Sequence, residues 1–265
     1  MSQVLKVATW NVNSLRTRMA HVLEWLEAHQ PDVLCLQETK VEDTLFPAEA
    51  FAQRGYHLAV HGQKSYNGVA LISRHPLNDV TNGFAAEGLP EIFSSQTRLI
   101  AATVQGVRVI SAYVPNGESP TSEKFAFKEE FYSHLNRYLS SALQSHPKLV
   151  ICGDFNISAE ARDIINPEKA VKHVLFTPQE QEWLARLMST NSLSDSFRLV
   201  SQEADVYSWY DYRTYARNPK AGARIDYLFV SPPLVPHVKS VMHDQDERTK
   251  PQPSDHIPVL LTLEL

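Results

Sequence analysis

Short apolar runs that each end in polar residues constrain this chain more than any other feature of its sequence. The clearest is LVICGDFNIS, residues 149–158, in which an apolar run leads into Gly-Asp-Phe-Asn. Side chains on a strand alternate between its two faces. Asp154 and Asn156 are therefore predicted to point the same way, with Phe155 pointing into the core. Because Gly, Asp and Asn are also common turn residues, a simple turn is the alternative here.

Similar runs recur along the chain and predict further strands. The predicted strands cover residues 5–10, 33–37, 56–61, 68–73, 99–105, 107–113, 149–153, 224–230 and 259–265. Apolar residues at helical spacing predict helices at residues 19–29, 124–145 and 178–190. Since strands and helices do not alternate strictly, we expect an α/β fold in which helices lie outside two packed sheets.

Composition favours one folded domain over residues 1–265. The 265 residues, 43% of them hydrophobic, can bury a substantial core without a disulfide or a metal. The net charge of −5 argues against binding nucleic acid through bulk positive charge, although a local basic groove is compatible with it. Cys35 and Cys152 lie in apolar runs, which favours buried reduced thiols over a catalytic pair and a cytoplasmic location. No secretory segment and no apolar stretch of about 18 residues is present, so we expect no membrane association.

Polar residues stand at the ends of most predicted strands. They are Asn11, Asn13, Glu38, Tyr113, Asp154, Asn156, Asp226, Asp255 and His256. Each has an ordinary explanation as well, because Asn13 could cap a helix, Asp255 could lie in a turn and His256 could be structural. If the carboxylates converge, they repel one another unless a divalent cation lies among them. Oxygen ligands favour Mg²⁺ or Mn²⁺ over zinc, and such a site fits attack of water on a phosphate ester.

Seven short motifs are informative together. In chain order they read WNVNSL, LQETK, YNGVAL, GDFNIS, SWYDYR, RIDYL and PSDHIPV. From Val7 to Leu263 the chain thus resembles the exonuclease III class of abasic-site endonucleases, within the endonuclease/exonuclease/phosphatase superfamily. The resemblance implies a four-layer α/β sandwich, with two packed, mainly antiparallel sheets flanked by helices and the site at one rim. It also implies a monomeric, Mg²⁺-dependent DNA-repair phosphodiesterase, for which Mn²⁺ can substitute. Its substrates would be double-stranded DNA with abasic sites or 3′ ends, cut by endonuclease, 3′-5′ exonuclease or 3′-phosphatase activity.

The resemblance further implies a role for each polar strand end. The implied metal-site residues are Glu38 as principal ligand, with Asn11, Asn13, Asp154, Asn156 and Asp255 around it. Asp154 would position or activate water, or protonate the leaving oxygen. His256, oriented by Asp226, would contact the scissile phosphate. Asn156 would help to hold that phosphate, and Tyr113 would reach the phosphate or the leaving group.

Basic and aromatic residues near the motifs are candidates for DNA contacts. They are Lys40, Lys64, Lys124, Trp209, Arg213, Arg217 and Arg224. Charge pairing on a solvated surface is the ordinary explanation for the basic residues. Trp209 could either flank an extruded sugar or belong to the core.

Two residues depart from the family pattern around the pocket that accepts an abasic sugar. The predicted pocket residues are Leu175, Phe176, Trp209 and Ala223. Leu175 stands where a small residue is usual, and Ala223 where a bulky one is usual. Because an added bulky side chain excludes ligand from a fitted pocket, the chain could instead be a 3′-end-processing enzyme with little abasic endonuclease activity. A phosphoesterase that acts on non-DNA substrates is also compatible with the motifs, whereas the complete set of polar residues disfavours an inactive DNA-end binding module.

Overall fold

The computed structural model describes residues 3–84, 89–212 and 221–265. Its strands are β1 Val4–Asn11, β2 Val33–Gln37, β3 His57–His61, β4 Val69–Ser73, β5 Asn78–Asn82, β6 Leu99–Val104, β7 Val107–Tyr113, β8 Leu149–Asp154, β9 Ser194–Asp195, β10 Trp209–Tyr210, β11 Gly222–Ala223, β12 Asp226–Val230, β13 Val238–His243 and β14 Val259–Glu264. Its helices are α1 Leu15–His29, α2 Ala48–Ala52, α3 Glu91–Ser95, α4 Glu123–Ser145, α5 Pro167–Ala170, α6 Pro178–Thr190 and α7 Ser196–Val200.

Two six-stranded sheets form the centre of the fold. The first has the strand order β13-β14-β1-β2-β4-β3 and the second has the order β5-β6-β7-β8-β12-β9. Neighbouring strands are antiparallel in both sheets, except that β1 and β2 are parallel and β7 and β8 are parallel. The prediction of two mainly antiparallel sheets is therefore confirmed.

The two parallel pairs explain where polar residues collect. Parallel neighbours need a long crossover connection, usually a helix, and here α1 connects β1 to β2 while α4 connects β7 to β8. Each crossover returns the chain so that both strands of a pair end at the same edge of their sheet. Asn11 is paired with Gln37 at the end of the first pair, and Tyr113 with Asp154 at the end of the second.

Apolar side chains pack in three layers around the sheets. Cys35 and Cys152 belong to the core between the two sheets, and both are free thiols, as predicted. Trp25 of α1 packs on the outer face of the first sheet, and Phe131 of α4 packs on the outer face of the second. The layers therefore run helix, sheet, sheet, helix, as the resemblance implied. No helix within the described ranges is both long and apolar enough to cross a bilayer.

The predicted elements are all present, with differences at their ends. Helix α1 begins at Leu15 rather than residue 19, because the polar residues that follow Leu15 hide the apolar spacing of its first turn. The strand predicted from residue 224 begins at Asp226. Strands β5 and β13 were not predicted, because they lie at or near sheet edges and most of their side chains are exposed or half-buried. Their sequences consequently carry no clear alternation of apolar and polar residues.

Candidate active site

The predicted polar strand ends meet at the rim where the parallel pairs end. Asn11 is central, since its side-chain amide donates to Glu38 Oε1 at 2.9 Å and to Asp154 Oδ2 at 3.0 Å. One amide group thus joins a carboxylate of the first sheet to a carboxylate of the second. Asp226 begins β12 directly opposite Asp154, and His256 lies just before β14. The polar residues at the strand ends therefore do converge, which the sequence alone could not establish.

Gly153 is required by the close approach of β7 to β8. Its φ is +139°, and a Cβ atom there would lie 1.9 Å from the carbonyl oxygen of Ala112. A side chain at this position would therefore push the two parallel strands apart. Glycine keeps Tyr113 and Asp154 side by side at the strand ends.

The GDFN segment is both a strand end and a turn. Asp154 ends β8, and its Oδ1 accepts a hydrogen bond at 2.9 Å from the backbone N–H of Asn156, which is an Asx turn. Asn156 has φ +50° and lies outside the strand, so the prediction that strand alternation aligns it with Asp154 was wrong. Phe155 is fully buried, as predicted. The turn and the strand end therefore coexist, and the turn directs Asn156.

A buried chain of charged groups links Asp226, His256 and Asp154. His256 Nδ1 lies 2.8 Å from Asp226 Oδ2, and its Nε2 lies 3.7 Å from Asp154 Oδ2. Burial alone would lower the pKa of His256, but the Asp226 and Asp154 carboxylates outweigh it and raise that pKa to about 10. Burial raises the pKa of Asp154 to about 7, although His256 opposes the rise. His256 is accordingly cationic at neutral pH, where Asp154 can exchange a proton.

Side-chain oxygen atoms of Glu38 and Asn13 lie around the ammonium group of Lys40. Lys40 Nζ lies 2.8 Å from Glu38 Oε2 and 2.6 Å from Asn13 Oδ1. Burial opposes ionisation of Glu38, but Lys40 prevails and lowers the pKa of that carboxyl. Asn13 Nδ2 donates to Asp255 Oδ1 at 3.0 Å. These hard oxygen donors fit a divalent cation such as Mg²⁺.

Asp154, Asp226 and His256 form a second group, whose ligand-type atoms lie within 4.8 Å of one another. Because the cationic ring of His256 has no free lone pair, this group can bind a metal ion only after His256 loses its proton. The buried Asp226 Oδ1 has no hydrogen-bond partner among the residues that the structure describes. The site therefore contains an unsatisfied carboxylate oxygen near its centre, in addition to the donors around Glu38.

Several side chains that support the site were not identified from the sequence. The guanidinium of Arg98 stacks on the Tyr113 ring at 4.5 Å and donates to the Tyr113 carbonyl at 3.2 Å. Burial and the charge of Glu38 raise the pKa of Tyr113 well above its usual value, so this phenol stays protonated. Ser208 Oγ accepts the backbone N–H of Asp226 at 3.0 Å, and Ser254 Oγ donates to the Asn11 carbonyl at 2.7 Å. None of the three supporting residues, Arg98, Ser208 and Ser254, is among the polar strand ends that are conspicuous in the sequence.

The predicted pocket residues pack together beside the site. Leu175, Phe176 and Ala223 are buried in one apolar cluster, and the half-buried Trp209 packs against it. Trp209 Nε1 donates to Asp255 Oδ2 at 3.2 Å, so this residue belongs partly to the core and partly to the site. A cavity of about 370 Å³ lies between Leu175 and Trp209 and reaches Asn116. Leu175 therefore forms part of the wall of a cavity that adjoins the polar centre.

The DNA-binding candidates have different environments. Lys64 is exposed, Lys124 is exposed and lies 3.1 Å from Glu118, and Lys40 lies within the polar centre. Arg213 and Arg217 lie outside the described residues. The prediction that Arg224 contacts DNA was wrong, because this residue is only 1% exposed and forms ion pairs with Asp163 and Asp195. These buried ion pairs hold the guanidinium away from solvent, so it is not available to a DNA backbone.

Comparison with known proteins agrees with this geometry. Residues 8–256 match the model of the Endonuclease/Exonuclease/phosphatase family. The chain is 36% identical over 267 residues to exodeoxyribonuclease III of Haemophilus influenzae, covering 96% of this chain and 98% of that protein. It is similar in structure to a 3′ phosphatase from Neisseria bound to a product DNA hairpin, with a TM-score of 0.93, 40% identity and coverage of 98% and 100%. An AP endonuclease from Archaeoglobus fulgidus has a TM-score of 0.92, 35% identity and the same coverage. The chain therefore belongs to the endonuclease/exonuclease/phosphatase family, in the group of exonuclease III and the AP endonucleases.

Proposed function

We propose that this chain is a Mg²⁺-dependent DNA-repair phosphodiesterase of the exonuclease III type. The observation that carries the proposal is the buried Asp226–His256–Asp154 chain, which Asn11 joins to the carboxylate of Glu38. A cationic histidine beside a carboxylate that titrates near neutrality suits hydrolysis of a phosphodiester. The similarity to exodeoxyribonuclease III and to a phosphatase bound to DNA supports DNA as the substrate.

The proposed metal site is centred on Glu38. The oxygens of Glu38 and Asn13 already converge on the Lys40 ammonium group, and Asp255 is hydrogen-bonded to Asn13. Asn11, Asp154 and Asn156 are the further predicted members of this set. A divalent cation held there would stabilise the negative charge on the phosphate oxygens. Mn²⁺ should substitute for Mg²⁺, because both accept carboxylate and carbonyl oxygens.

Each remaining polar residue has a proposed role at the phosphate. His256 donates a hydrogen bond from Nε2 to a phosphate oxygen, while Asp226 holds Nδ1 and fixes the ring. Asp154 orients the attacking water and accepts its proton, or donates a proton to the leaving oxygen. Asn156 contacts the phosphate through its amide, and the Tyr113 hydroxyl reaches the phosphate or leaving group.

We further propose that 3′ ends are preferred over internal abasic sites. Leu175 narrows the cavity beside Trp209, where a small residue would leave room for an extruded sugar. An internal site is held by duplex on both sides and cannot shift to avoid the leucine, whereas a 3′ end can fray. The resemblance to a Neisseria 3′ phosphatase favours the same preference.

The expected biological setting is also part of the proposal. We propose that the protein acts as a monomer on double-stranded DNA in the cytoplasm, without association with membranes. The two buried free thiols are compatible with a reducing compartment.

Three duplexes test the proposed function directly. They carry an internal abasic analogue, a 3′-phosphate or a recessed normal 3′ end, and each is assayed with Mg²⁺, with Mn²⁺ and with EDTA. We expect metal-dependent removal of the 3′-phosphate, with slower cleavage at the abasic site. An Asp154→Asn variant and a small phosphoester such as an inositol phosphate are the controls. Hydrolysis of the phosphoester without cleavage of any duplex would refute DNA as the substrate.

A further inference from the structure

A fully buried ion pair lies beneath the candidate active site. Lys128 of α4 contacts Glu180 of α6, and both side chains are 0% exposed. Buried charges of this kind are rare, and replacing such a pair with apolar residues is often neutral or stabilising. Apolar contacts already pack α4 against α6, because the rings of Phe125 and Trp183 lie 4.9 Å apart. The location of the pair therefore calls for an explanation other than helix packing.

The ammonium group of Lys128 holds the backbone next to the catalytic strand end. Besides Glu180, its Nζ donates to the carbonyl of Asn156 at 2.7 Å and to the carbonyl of Asn116 at 3.1 Å. All three donors of the ammonium group are thus used. Asn116 in turn donates from Nδ2 to the Asn156 Oδ1 at 3.0 Å. Lys128 therefore fixes both Asn156 and the residue that orients its side chain.

The carboxylate of Glu180 holds the wall of the pocket. Its Oε1 accepts the backbone N–H of Leu175 at 3.1 Å, and its Oε2 accepts the N–H and the hydroxyl of Thr177, each at 2.9 Å. The carbonyl of Leu175 accepts the N–H of Ser158 at 2.7 Å. Both backbone polar groups of Leu175 are consequently fixed by neighbouring parts of the fold.

Leu175 needs this support because its backbone is strained. Its φ is +85°, in a region that a bulky L-residue rarely adopts and that persists only when the surroundings enforce it. Without the acceptor provided by Glu180, the segment could relax to an ordinary conformation. The leucine side chain would then leave its position in the pocket wall.

We infer that Lys128 and Glu180 are positioning residues that fix the catalytic Asn156 and the Leu175 pocket wall in one arrangement. This inference rests on the proposed function, since it gives a role to a pair that contacts no substrate. It predicts that loss of the pair changes the rate of phosphodiester hydrolysis and also changes the preference between substrates. A merely structural pair would change only the fraction of folded protein.

The decisive variant is Lys128→Met/Glu180→Leu, which removes both charges and leaves neither one buried alone. Single variants such as Lys128→Met leave an uncompensated buried charge and can fail to fold, so the double variant keeps the test valid. Arg108→Met is the matched control. Arg108 is a buried cation of the second sheet that donates to the Asp79 carbonyl and the Thr81 hydroxyl, outside the active site.

Both variants and the wild type are assayed on the 3′-phosphate and internal abasic duplexes, with rates expressed per folded molecule. For the double variant we expect kcat on the 3′-phosphate to fall by about 10- to 100-fold with little change in KM, as for a misplaced reacting group. We expect the ratio of abasic cleavage to 3′-phosphate removal to rise by roughly 10-fold, as when a pocket loses a bulky group. Arg108→Met should change neither quantity.

The outcomes separate this inference from the proposed function. A folded double variant whose kcat and substrate ratio equal those of the wild type would overturn the inference alone. The inference is also overturned if the two activities of the double variant fall by one common factor, because the substrate ratio would then show that the Leu175 wall had not moved. A wild type that cuts neither duplex would overturn the proposed function, and the inference with it.

Discussion

Replacing Asp226 with asparagine tests the buried Asp226–His256–Asp154 chain with the least change of shape. The variant keeps the volume of the side chain but removes the charge 2.8 Å from His256 Nδ1. The remaining carboxylate, Asp154, lies farther away at 3.7 Å from Nε2. The variant should therefore lose most of the electrostatic support for the cationic ring, as well as the acceptor that fixes its orientation.

The expected magnitude follows from the pKa of His256. Its rise from 6.5 to about 10 corresponds to about 5 kcal/mol of preference for the protonated ring. Asp226 is the first of the groups that raise this pKa, so its loss costs on the order of 2–3 kcal/mol, which is roughly 10²-fold in rate when the charged ring stabilises the transition state. Loss of the correct orientation adds to this, so we expect a decrease of roughly 10²- to 10⁴-fold, as in other histidines oriented by carboxylates.

The assay compares single-turnover rates on the 3′-phosphate duplex with DNA affinity measured by fluorescence anisotropy. Asp226→Asn should lower the rate while affinity changes much less. As the pH is raised, the rate of the variant should begin to fall at a lower pH than the rate of the wild type, because the pKa of His256 is lower in the variant. Asp79→Asn, the same change at an exposed position on β5, is the control. A variant that loses affinity but keeps its single-turnover rate would refute the role given to Asp226.

Three further substitutions test other parts of the structure. Glu38→Gln removes an anionic ligand and should lower turnover by orders of magnitude while the protein stays folded. EDTA should abolish the activity of the wild type, and full activity in excess EDTA would exclude a metal requirement. Leu175→Gly should raise abasic cleavage by roughly 5- to 150-fold, the equivalent of about 1–3 kcal/mol of overpacking, while 3′-phosphate removal stays nearly constant; an equal change in both would contradict the pocket assignment. The half-buried His243 packs against Phe197, and the loss of solvation there, with Arg224 and Arg198 nearby, lowers the pKa of His243 to about 3. The folded state therefore binds fewer protons than the unfolded state between pH 6.5 and 3. Stability should therefore fall with acidification by up to about 1.4 kcal/mol per pH unit, and His243→Phe should flatten this slope in urea titrations at pH 7 and pH 5.

Much of the site could be predicted because its residues stand where strands end. A strand buried on both faces, such as VLCLQ or LVICG, is visible as an apolar run, and the polar residue after it is conspicuous. Glu38 and Asp154 were recognisable for this reason. Convergence itself was not visible, because it depends on two crossover helices that bring separate strands to one rim. The turn at Asn156 was only the alternative interpretation, because alternation was extended beyond Asp154, the last residue of β8.

Residues that act from helices and loops were much harder to recognise. Arg224 stands beside Asp226 in the RIDYL motif and has the charge that DNA binding requires, yet its partners Asp163 and Asp195 are distant in sequence. Lys128 and Glu180 occur in helical stretches where charged residues normally face water. Only the three-dimensional arrangement reveals that these charged side chains are enclosed and paired, so charge alone was a poor guide to the DNA-binding surface.

The strain at Leu175 connects the pocket to the catalytic centre and affects how the Leu175→Gly result should be read. Glycine at φ +85° removes the side chain from the pocket and also removes the backbone strain. Leu175→Ala removes most of the side chain but keeps a Cβ atom in the unfavourable region. If the pocket volume sets substrate preference, both variants should gain abasic cleavage. If the strained backbone matters through Glu180 and Lys128, glycine alone should also change kcat on the 3′-phosphate, because the same ion pair holds Asn156.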